Sequence, residues 1–486
     1  MTAHRNPWLV LCLVCMAQFM VILDATIVNV ALPSIQADLE MSDADLQWVV
    51  NAYTLLFGGF LLLGGRAGDL VGRKRVFLVG VVVFTVASLL NGLAPNSEAL
   101  IVFRGLQGLG AALIAPAALS IITTTFEEGA ERTKAMGVWA AIAVGGGAVG
   151  LVLGGVLTTA LSWPWIFYVN IPVGIAVFVA SLMYVPESKD EHAHKSFDLA
   201  GAVTVTAGLL VLVYGIVKAQ ENGWTSLRTG GFFAAAIALL AAFVFIERRS
   251  VEPLVRLSIF RVRTVRAANV VMFLVAAGLF AMFFFNTLYL QRVLDYSALE
   301  AGLAFLPFTA GIIIGAGLSQ GLVPRLGARE VPLIGMPLAI LGLLLFTRLQ
   351  PDSSYVTDFL PGVMLASIGM GLTFVPITLI ATSGVPNDDA GLASGLYNTS
   401  QQIGGALGLA LLATLAVDAT EESLQGLGRE PQPADQSQAL VDGFHVAYYG
   451  SAALIAVGFL ALLVLLSRRD VVAVGEGAPA PGAAIG

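Results

Sequence analysis

The sequence predicts an all-α polytopic membrane protein: two parallel-repeat six-helix bundles plus two extra transmembrane helices, fourteen spans, with both termini cytoplasmic. Three observations predict it. The 486 residues are 57% hydrophobic and only 12% charged, with mean hydropathy +0.86, whereas soluble proteins carry about 25% charged residues. Apolar segments of 18 to 25 residues recur along the chain, each long enough to cross a hydrocarbon layer of about 30 Å. A glycine-rich segment of the first half returns in the second at a fixed offset.

The spans read as 8–32, 46–65, 76–94, 98–124, 133–160, 163–185, 199–220, 229–248, 265–290, 299–322, 331–349, 356–382, 391–417 and 443–467. The first follows His4 and Arg5, but its apolar run is too long for a signal-peptide core and has no clear cleavage site, so it stays as a helix. Cys12 and Cys15 lie within it. Redox or zinc chemistry would need polar surroundings or further ligands, so they read as packing. Alternation then fixes the topology. Lys218, Arg228, Arg292, Arg348 and Arg429 fall outside and Arg104 within a span, leaving nineteen of the 25 Lys and Arg residues on the inner side. That is the positive-inside bias for cytoplasmic termini.

Outer loops lean acidic, with Asp38, Glu40, Asp43 and Asp45 after span 1, and Asp418, Glu421, Glu422, Glu430, Asp435 and Asp442 between spans 13 and 14. They read as solvated loops without positive charge rather than cation traps. His192 and His194, in the charged linker 187–198, do not form a metal site. Arginine outnumbers lysine, and alanine and glycine abound, which suggests a GC-rich bacterial source and placement in the inner (cytoplasmic) membrane. The low-complexity tail reads as disordered.

The repeat defines the domains. Gly137–Gly155 places Gly146, Gly150 and Gly154 four residues apart on one helical face, with Gly155 beside them. Small residues so spaced let membrane helices approach closely. Shifted by 258, Gly137 meets Gly395, Gly146 and Gly147 meet Gly404 and Gly405, and Gly150 meets Gly408. Shifted by 255, Val71-Gly72-Arg73-Lys74 meets Leu326-Gly327-Ala328-Arg329. Spans 1–6 and 9–14 are therefore parallel copies. The divisions are an N-terminal bundle at 1–186, two extra helices with charged linkers at 187–264, a C-terminal bundle at 265–470 and a tail at 471–486.

These motifs resemble the major facilitator superfamily, and within it the fourteen-span drug:proton antiporter branch. Gly65-Arg66-Ala67-Gly68-Asp69-Leu70-Val71-Gly72-Arg73-Lys74 is similar to the superfamily signature between spans 2 and 3. Its second-half copy has Pro324 in place of the aspartate. Arg104 with Gly108 and Gly110 resembles the span-4 motif tied to proton coupling. The stretch from Gly137 resembles the antiporter motif of exporters, with Leu151 where proline is usual. The runs Leu23–Pro33, Trp163–Pro172 and Gln401–Gly408 resemble the branch's signatures in spans 1, 6 and 13, with Pro164 replacing an arginine. The resemblance implies export of amphiphilic organic compounds, such as drugs or antibiotics, by alternating access.

The residues themselves support that chemistry. A charge at mid-membrane costs several kcal/mol and marks function by default. Away from span ends, the clear cases are Asp24 and Arg104. At 1.5 Å per residue they sit about 6 Å and about 10 Å outward of their span midpoints, so pairing is geometrically open to them. Asp24 is the expected proton carrier and Arg104 its tuner, since burial raises a carboxylate's pKa and a guanidinium lowers it; a purely structural ion pair is the competing reading. A proton-motive force near 150 mV supplies about 3.5 kcal/mol per proton. That sustains a concentration ratio of roughly 300.

Gating falls to Gly65, Asp69, Gly72 and Arg73 at the inner turn, and to Gly146, Gly150, Gly154 and Gly155 as a close-packed seal. Because Leu151 keeps the amide that proline would lack, bending there comes from glycine alone. The expected substrate residues are Gln18 and Asn29 of span 1, Phe284, Asn286, Tyr289 and Gln291 of span 9, and Tyr397, Asn398, Gln401 and Gln402 of span 13. Asn398-Thr399-Ser400 fits a glycosylation pattern but lies inside a span. The expected partners are a small amphiphilic organic substrate, protons and the lipid bilayer, with no nucleic acid, no metal and no cofactor beyond the proton-motive force, in a chain working as a monomer. An ATP-driven pump is disfavoured, for there is no GxxxxGK[ST] loop. A channel would not need alternating halves. A membrane enzyme would need a constellation of reactive side chains at one depth. Export of an endogenous metabolite, lipid or siderophore is the alternative substrate reading.

Overall fold

The computed structural model describes residues 6–127, 129–189, 198–250, 253–385, 389–427, 429–467 and 470. The tail at 471–486 and most of the linker 187–198, including His192 and His194, lie outside them. Among the described residues there are helices and turns and no strand. The first half comprises α1 (Pro7–Asp38), α2 (Asp43–Val71), α3 (Arg73–Gly92), α4 (Ser97–Thr125), α5 (Ala130–Ala160), α6 (Trp165–Tyr168) and α7 (Asn170–Tyr184). A hairpin of α8 (Leu199–Asn222) and α9 (Leu227–Arg249) follows. The second half comprises α10 (Arg263–Leu288), α11 (Ala298–Ala304), α12 (Leu306–Leu326), α13 (Glu330–Phe346), α14 (Leu360–Thr382), α15 (Ala390–Gln425) and α16 (Pro433–Leu465).

Local chemistry sets many of these limits. The side chains of Asn6, Ser42, Asn96, Asp198 and Ser226 accept first-turn amide protons of α1, α2, α4, α8 and α9, satisfying donors that a helix start leaves unpaired. Gly72, between α2 and α3, holds φ +121°, and its repeat partner Gly327 holds φ +102°. Only glycine adopts that region without strain.

Two expected spans are interrupted. The span at 163–185 breaks at Val169, because Pro172 has no amide to return to the Tyr168 carbonyl. The span at 299–322 breaks at Phe305, where Pro307 interrupts the ladder in the same way. Thirteen helical segments among the described residues are long and apolar enough to cross a bilayer. The expected span 331–349 is shorter, seventeen residues from Glu330 to Phe346, or about 26 Å of helix.

The repeat visible in sequence returns in packing. In the first half α1 packs on α5 and α7, α2 on α4, and α3 on α4 and α7. In the second, α10 packs on α15 and α16, α12 on α14, and α13 on α14 and α16. The halves meet along two seams, α2 with α15 and α5 with α11, while α8 leans on both α2 and α15. Close contact is made at small residues, as membrane helices require. Gly108 of α4 lies on the Tyr53 backbone, and Gly371 of α14 lies on Ile312. The largest apolar cluster joins Leu23, Ile27 and Ala31 of α1 to Met272 and Leu279 of α10 and Phe308 of α12. It ties the halves together away from the end at which α1 begins.

Candidate functional site

The first half buries a polar network in its apolar interior. Asp24 and Arg104 are 0% and 1% exposed, and Arg104 Nη1 donates to Asp24 Oδ2 at 2.6 Å. Arg104 also donates to the Val49 carbonyl at 3.0 Å and to Gln107 Oε1 at 2.7 Å, with its guanidinium 4.4 Å from the centre of the Tyr53 ring. Gln107 Nε2 donates to Asp24 Oδ1 and Ser88 Oγ, both at 2.7 Å. Asn170 Nδ2 donates to the same two atoms at 3.0 and 3.2 Å. Asn91 donates to Gln107 Oε1 at 2.8 Å.

The arrangement has a chemical consequence. Most buried polar groups are hydrogen-bonded, and leaving one unpaired is costly. If Asp24 is neutralised, Arg104 keeps Val49 and Gln107 as acceptors, and Gln107 and Asn170 keep Ser88. The network therefore tolerates a change of charge on Asp24 without orphaning its neighbours.

Sequence reasoning missed Gln107, Asn170, Ser88, Asn91 and Tyr53. Gln107 follows Arg104 by one helical turn, a spacing that puts both on one face. Asn170 stands in the Trp163–Pro172 run. That run also anchors itself elsewhere: Trp163 Nε1 donates to Asp38 at 2.7 Å, and Tyr168 OH to the Gly92 carbonyl at 2.6 Å.

Beside the network lies a cavity of about 1310 Å³ between the halves. Arg104 and Tyr53 form part of its wall, with Gln18, Asn29, Asn398, Gln401 and Gln402 from the expected substrate set. It continues along Phe57, Leu61 and Gly65 to Arg66, Asp69, Arg256 and Asp389, at the end of the bundle where α1 begins. The opposite end is closed. Gln291 Nε2 donates to the Val30 carbonyl at 2.8 Å, Arg292 pairs with Asp43 at 2.9 Å, and the Leu299 amide donates to Thr159 Oγ1 at 3.3 Å.

Five expected substrate residues do not line this space. Phe284, Asn286, Tyr289 and Tyr397 are buried elsewhere, and Gln291 is spent on the closed end. Asn286 accepts from Tyr448 OH at 2.8 Å, Tyr289 OH donates to the Gln350 carbonyl at 2.8 Å, and Tyr397 OH accepts from Thr378 at 3.1 Å. The reason is helical phase. The cavity face of α10 carries Leu279, Phe280 and Phe283, and the next residue, Phe284, is turned about 100° away. Phe308, Thr309 and Ile312 of α12 complete that wall.

The glycines of α5 face α1. A methyl on Gly146 would meet Ile22 at 3.2 Å, one on Gly150 the Leu23 carbonyl at 3.0 Å and the Thr26 hydroxyl closer still, and one on Gly154 the Ile27 carbonyl at 2.8 Å. Gly155 faces the other half instead, with Leu299 Cα at 2.6 Å. In the second half Gly404 and Gly408 contact Phe273 and Ala277 of α10, the matching arrangement.

At the turn between α2 and α3, Arg73 pairs with Asp69 at 3.1 Å. Its amide donates to the Ser188 carbonyl at 2.8 Å, and Lys74 Nζ to the Leu182 carbonyl at 2.8 Å. Arg329, the repeat partner of Lys74, likewise holds the end of α16, donating to the Leu466 carbonyl at 2.7 Å. Gly65 sits near Pro116 in the cavity wall. These contacts of Arg73 and Lys74 tie the turn to the end of α7 in its own half.

Two repeated helical halves around a central cavity, with a buried ion pair beside it, define a membrane transporter. The chain belongs to the Major Facilitator Superfamily, which it matches over residues 14–409. It is 42% identical to the puromycin resistance protein pur8 of Streptomyces alboniger, covering 95% of this chain and 90% of that one. It is 41% identical to the cephamycin export protein CmcT of Amycolatopsis lactamdurans, covering 94% and 91%. Among solved structures it shares its fold with a bacterial homolog of the human lysosomal transporter Spinster, at 17% identity, TM-score 0.67 and coverage of 96% and 99%.

Proposed function

We propose that this protein exports amphiphilic organic compounds, antibiotics among them, across a bacterial cytoplasmic membrane in exchange for protons. The observation that carries the reading is the buried Asp24–Arg104 pair beside the central cavity. Relatives at 38–42% identity named as resistance or export proteins support the export direction and the class of substrate. In this reading the N-terminal bundle (1–186) carries the proton, the C-terminal bundle (265–470) rocks against it, and the extra helices (187–264) bridge them. The chain crosses the membrane fourteen times with both termini inside and works as a monomer, so the open cavity faces the cytoplasm. Substrate enters there and lies among the Phe280, Phe283 and Phe308 rings, with Gln18, Asn29, Asn398, Gln401 and Gln402 as polar contacts. Apolar walls with few polar groups suit such ligands.

Asp24 takes a proton in the state open to the outside and releases it inward, with Arg104 rebalancing its charge. The Asp69–Arg73 turn and the α1–α5 seam govern the closing of the inner end. Counterflow in proteoliposomes under an imposed pH gradient, over a panel of cationic and neutral amphiphiles, tests the proposal. Saturable, gradient-dependent exchange is expected; unsaturable flux would indicate a channel, and indifference to the gradient would exclude antiport. Saturable exchange confined to a compound made by the host would instead support export of an endogenous metabolite.

A further inference from the structure

A second pair of carboxyl groups lies far from Asp24, where the hairpin of extra helices begins and ends. Asp198 precedes α8 and Glu247 stands in the last turn of α9. They are 8% and 3% exposed. Each spends one oxygen on the backbone. Asp198 Oδ1 accepts from the Gly201 amide at 2.7 Å, and Glu247 Oε2 from the Val255 amide at 3.1 Å. The other two, Asp198 Oδ2 and Glu247 Oε1, are buried without a hydrogen-bond partner.

The two groups are neighbours. A methyl placed on Gly201 would meet Glu247 Oε1 at 2.8 Å and Asp198 Cγ at 2.9 Å. This puts them within the about 4–6 Å at which like charges resist joint ionisation. Among the described residues no cation is paired with either carboxyl. Arg256 pairs with Asp389 at 2.9 Å, and Arg249 lies over the Phe245 ring at 4.2 Å. Arg248, on the same turn as Glu247, makes no described bond to either carboxyl. The charged group that acts on Glu247 among the described residues is Asp198.

The backbone roles, a helix cap and a loop tie, use only half of each carboxyl. Two idle buried oxygens on neighbouring carboxyls are accounted for by one proton, because burial and a like charge both disfavour ionising the two groups together. Asp198 also lines the mouth of the cavity, so water can deliver and remove that proton. We infer that Asp198 and Glu247 hold one exchangeable proton between them, a second protonation site at the open end of the transport cavity. It belongs to the extra helices and does not depend on the role of Asp24.

Infrared spectroscopy of full-length Asp24→Asn protein in lipid nanodiscs tests this, since that substitution removes the other buried carboxyl among the described residues. At neutral pH a neutral-carboxyl carbonyl band is expected, shifting on transfer to D2O. It should vanish in Asp24→Asn/Glu247→Gln, whose amide matches the carboxyl in size and keeps an oxygen to accept from the Val255 amide. Proton uptake on a drop from alkaline to neutral pH, the range over which the pair gains its proton, should fall by about one per chain in that variant. No neutral-carboxyl band in Asp24→Asn, or a band unchanged by the second substitution, would overturn the inference.

Discussion

Arg104 stands in the cavity wall and Asp24 lies behind it, 2.6 Å away and fully buried. In the proposed cycle a proton moving between the cavity and Asp24 would pass beside the guanidinium. Removing one member of a buried pair leaves the charge of the other uncompensated even where its hydrogen bonds survive, at a cost of about 3–5 kcal/mol. Asp24→Asn should therefore abolish gradient-driven accumulation and lower the melting temperature. Asp24→Asn/Arg104→Gln should recover much of the stability and none of the transport. Accumulation by either variant that still follows the pH gradient would remove Asp24 from the proton path.

Asn170 should matter through Asp24 rather than through substrate. It donates to Asp24 Oδ1 and Ser88 Oγ and does not line the cavity. Asn170→Leu is expected to lower the transport rate at least tenfold and displace its pH profile. Substrate affinity, read by fluorescence quenching on the purified protein, should change less than about threefold, since affinity scales with contacts the ligand makes. A large loss of affinity with an unmoved pH profile would contradict a positioning role.

The α1–α5 seam should discriminate sharply between glycines of one helix. Gly150→Leu forces a side chain into Thr26 and the Leu23 carbonyl, whereas Gly137 has nothing within 4 Å of an added methyl. The first should abolish transport and lower the melting temperature. Gly137→Ala should be neutral or stabilising by up to about 1 kcal/mol, the helix-propensity difference. Unchanged transport in Gly150→Leu would reduce the seam to ordinary packing.

Breaking the closed end should shift the population of states. Gln291→Ala removes the bond to the Val30 carbonyl, and Arg292→Ala removes the pair with Asp43. An exposed pair contributes only about 0–1 kcal/mol, so each single variant should shift the equilibrium modestly and the double variant more. Spin labels on the closed-side ends of α1 and α10 would read this as a longer distance population. An unaltered distribution in the double variant would mean that apolar packing alone holds that end.

The fold was largely legible in the chain because the bilayer allows few solutions. Backbone groups in lipid must be paired internally, so long apolar segments become helices. The offsets of 255 from Gly72 to Gly327 and of 258 from Gly150 to Gly408 carried the repeat. Asp24 and Arg104 stood out for a related reason, since a charge in lipid is costly enough to be rare. Gln107, Ser88, Asn91 and Asn170 did not stand out. Neutral polar side chains can satisfy themselves on their own helix, as Asn29 does on the Ala25 carbonyl at 3.1 Å.

What the sequence determined by itself was the class of protein, the paired halves and the two charges that lipid would not otherwise permit. Tertiary structure decided which face each helix turns to the cavity. Phe283 lines it and Phe284 does not; Gln291 latches the closed end instead of meeting substrate. The physical reason is that a helix apolar on every side has no polar face to fix its rotation. Its orientation is set by the fit of side chains against neighbouring helices, which becomes defined only when the halves pack.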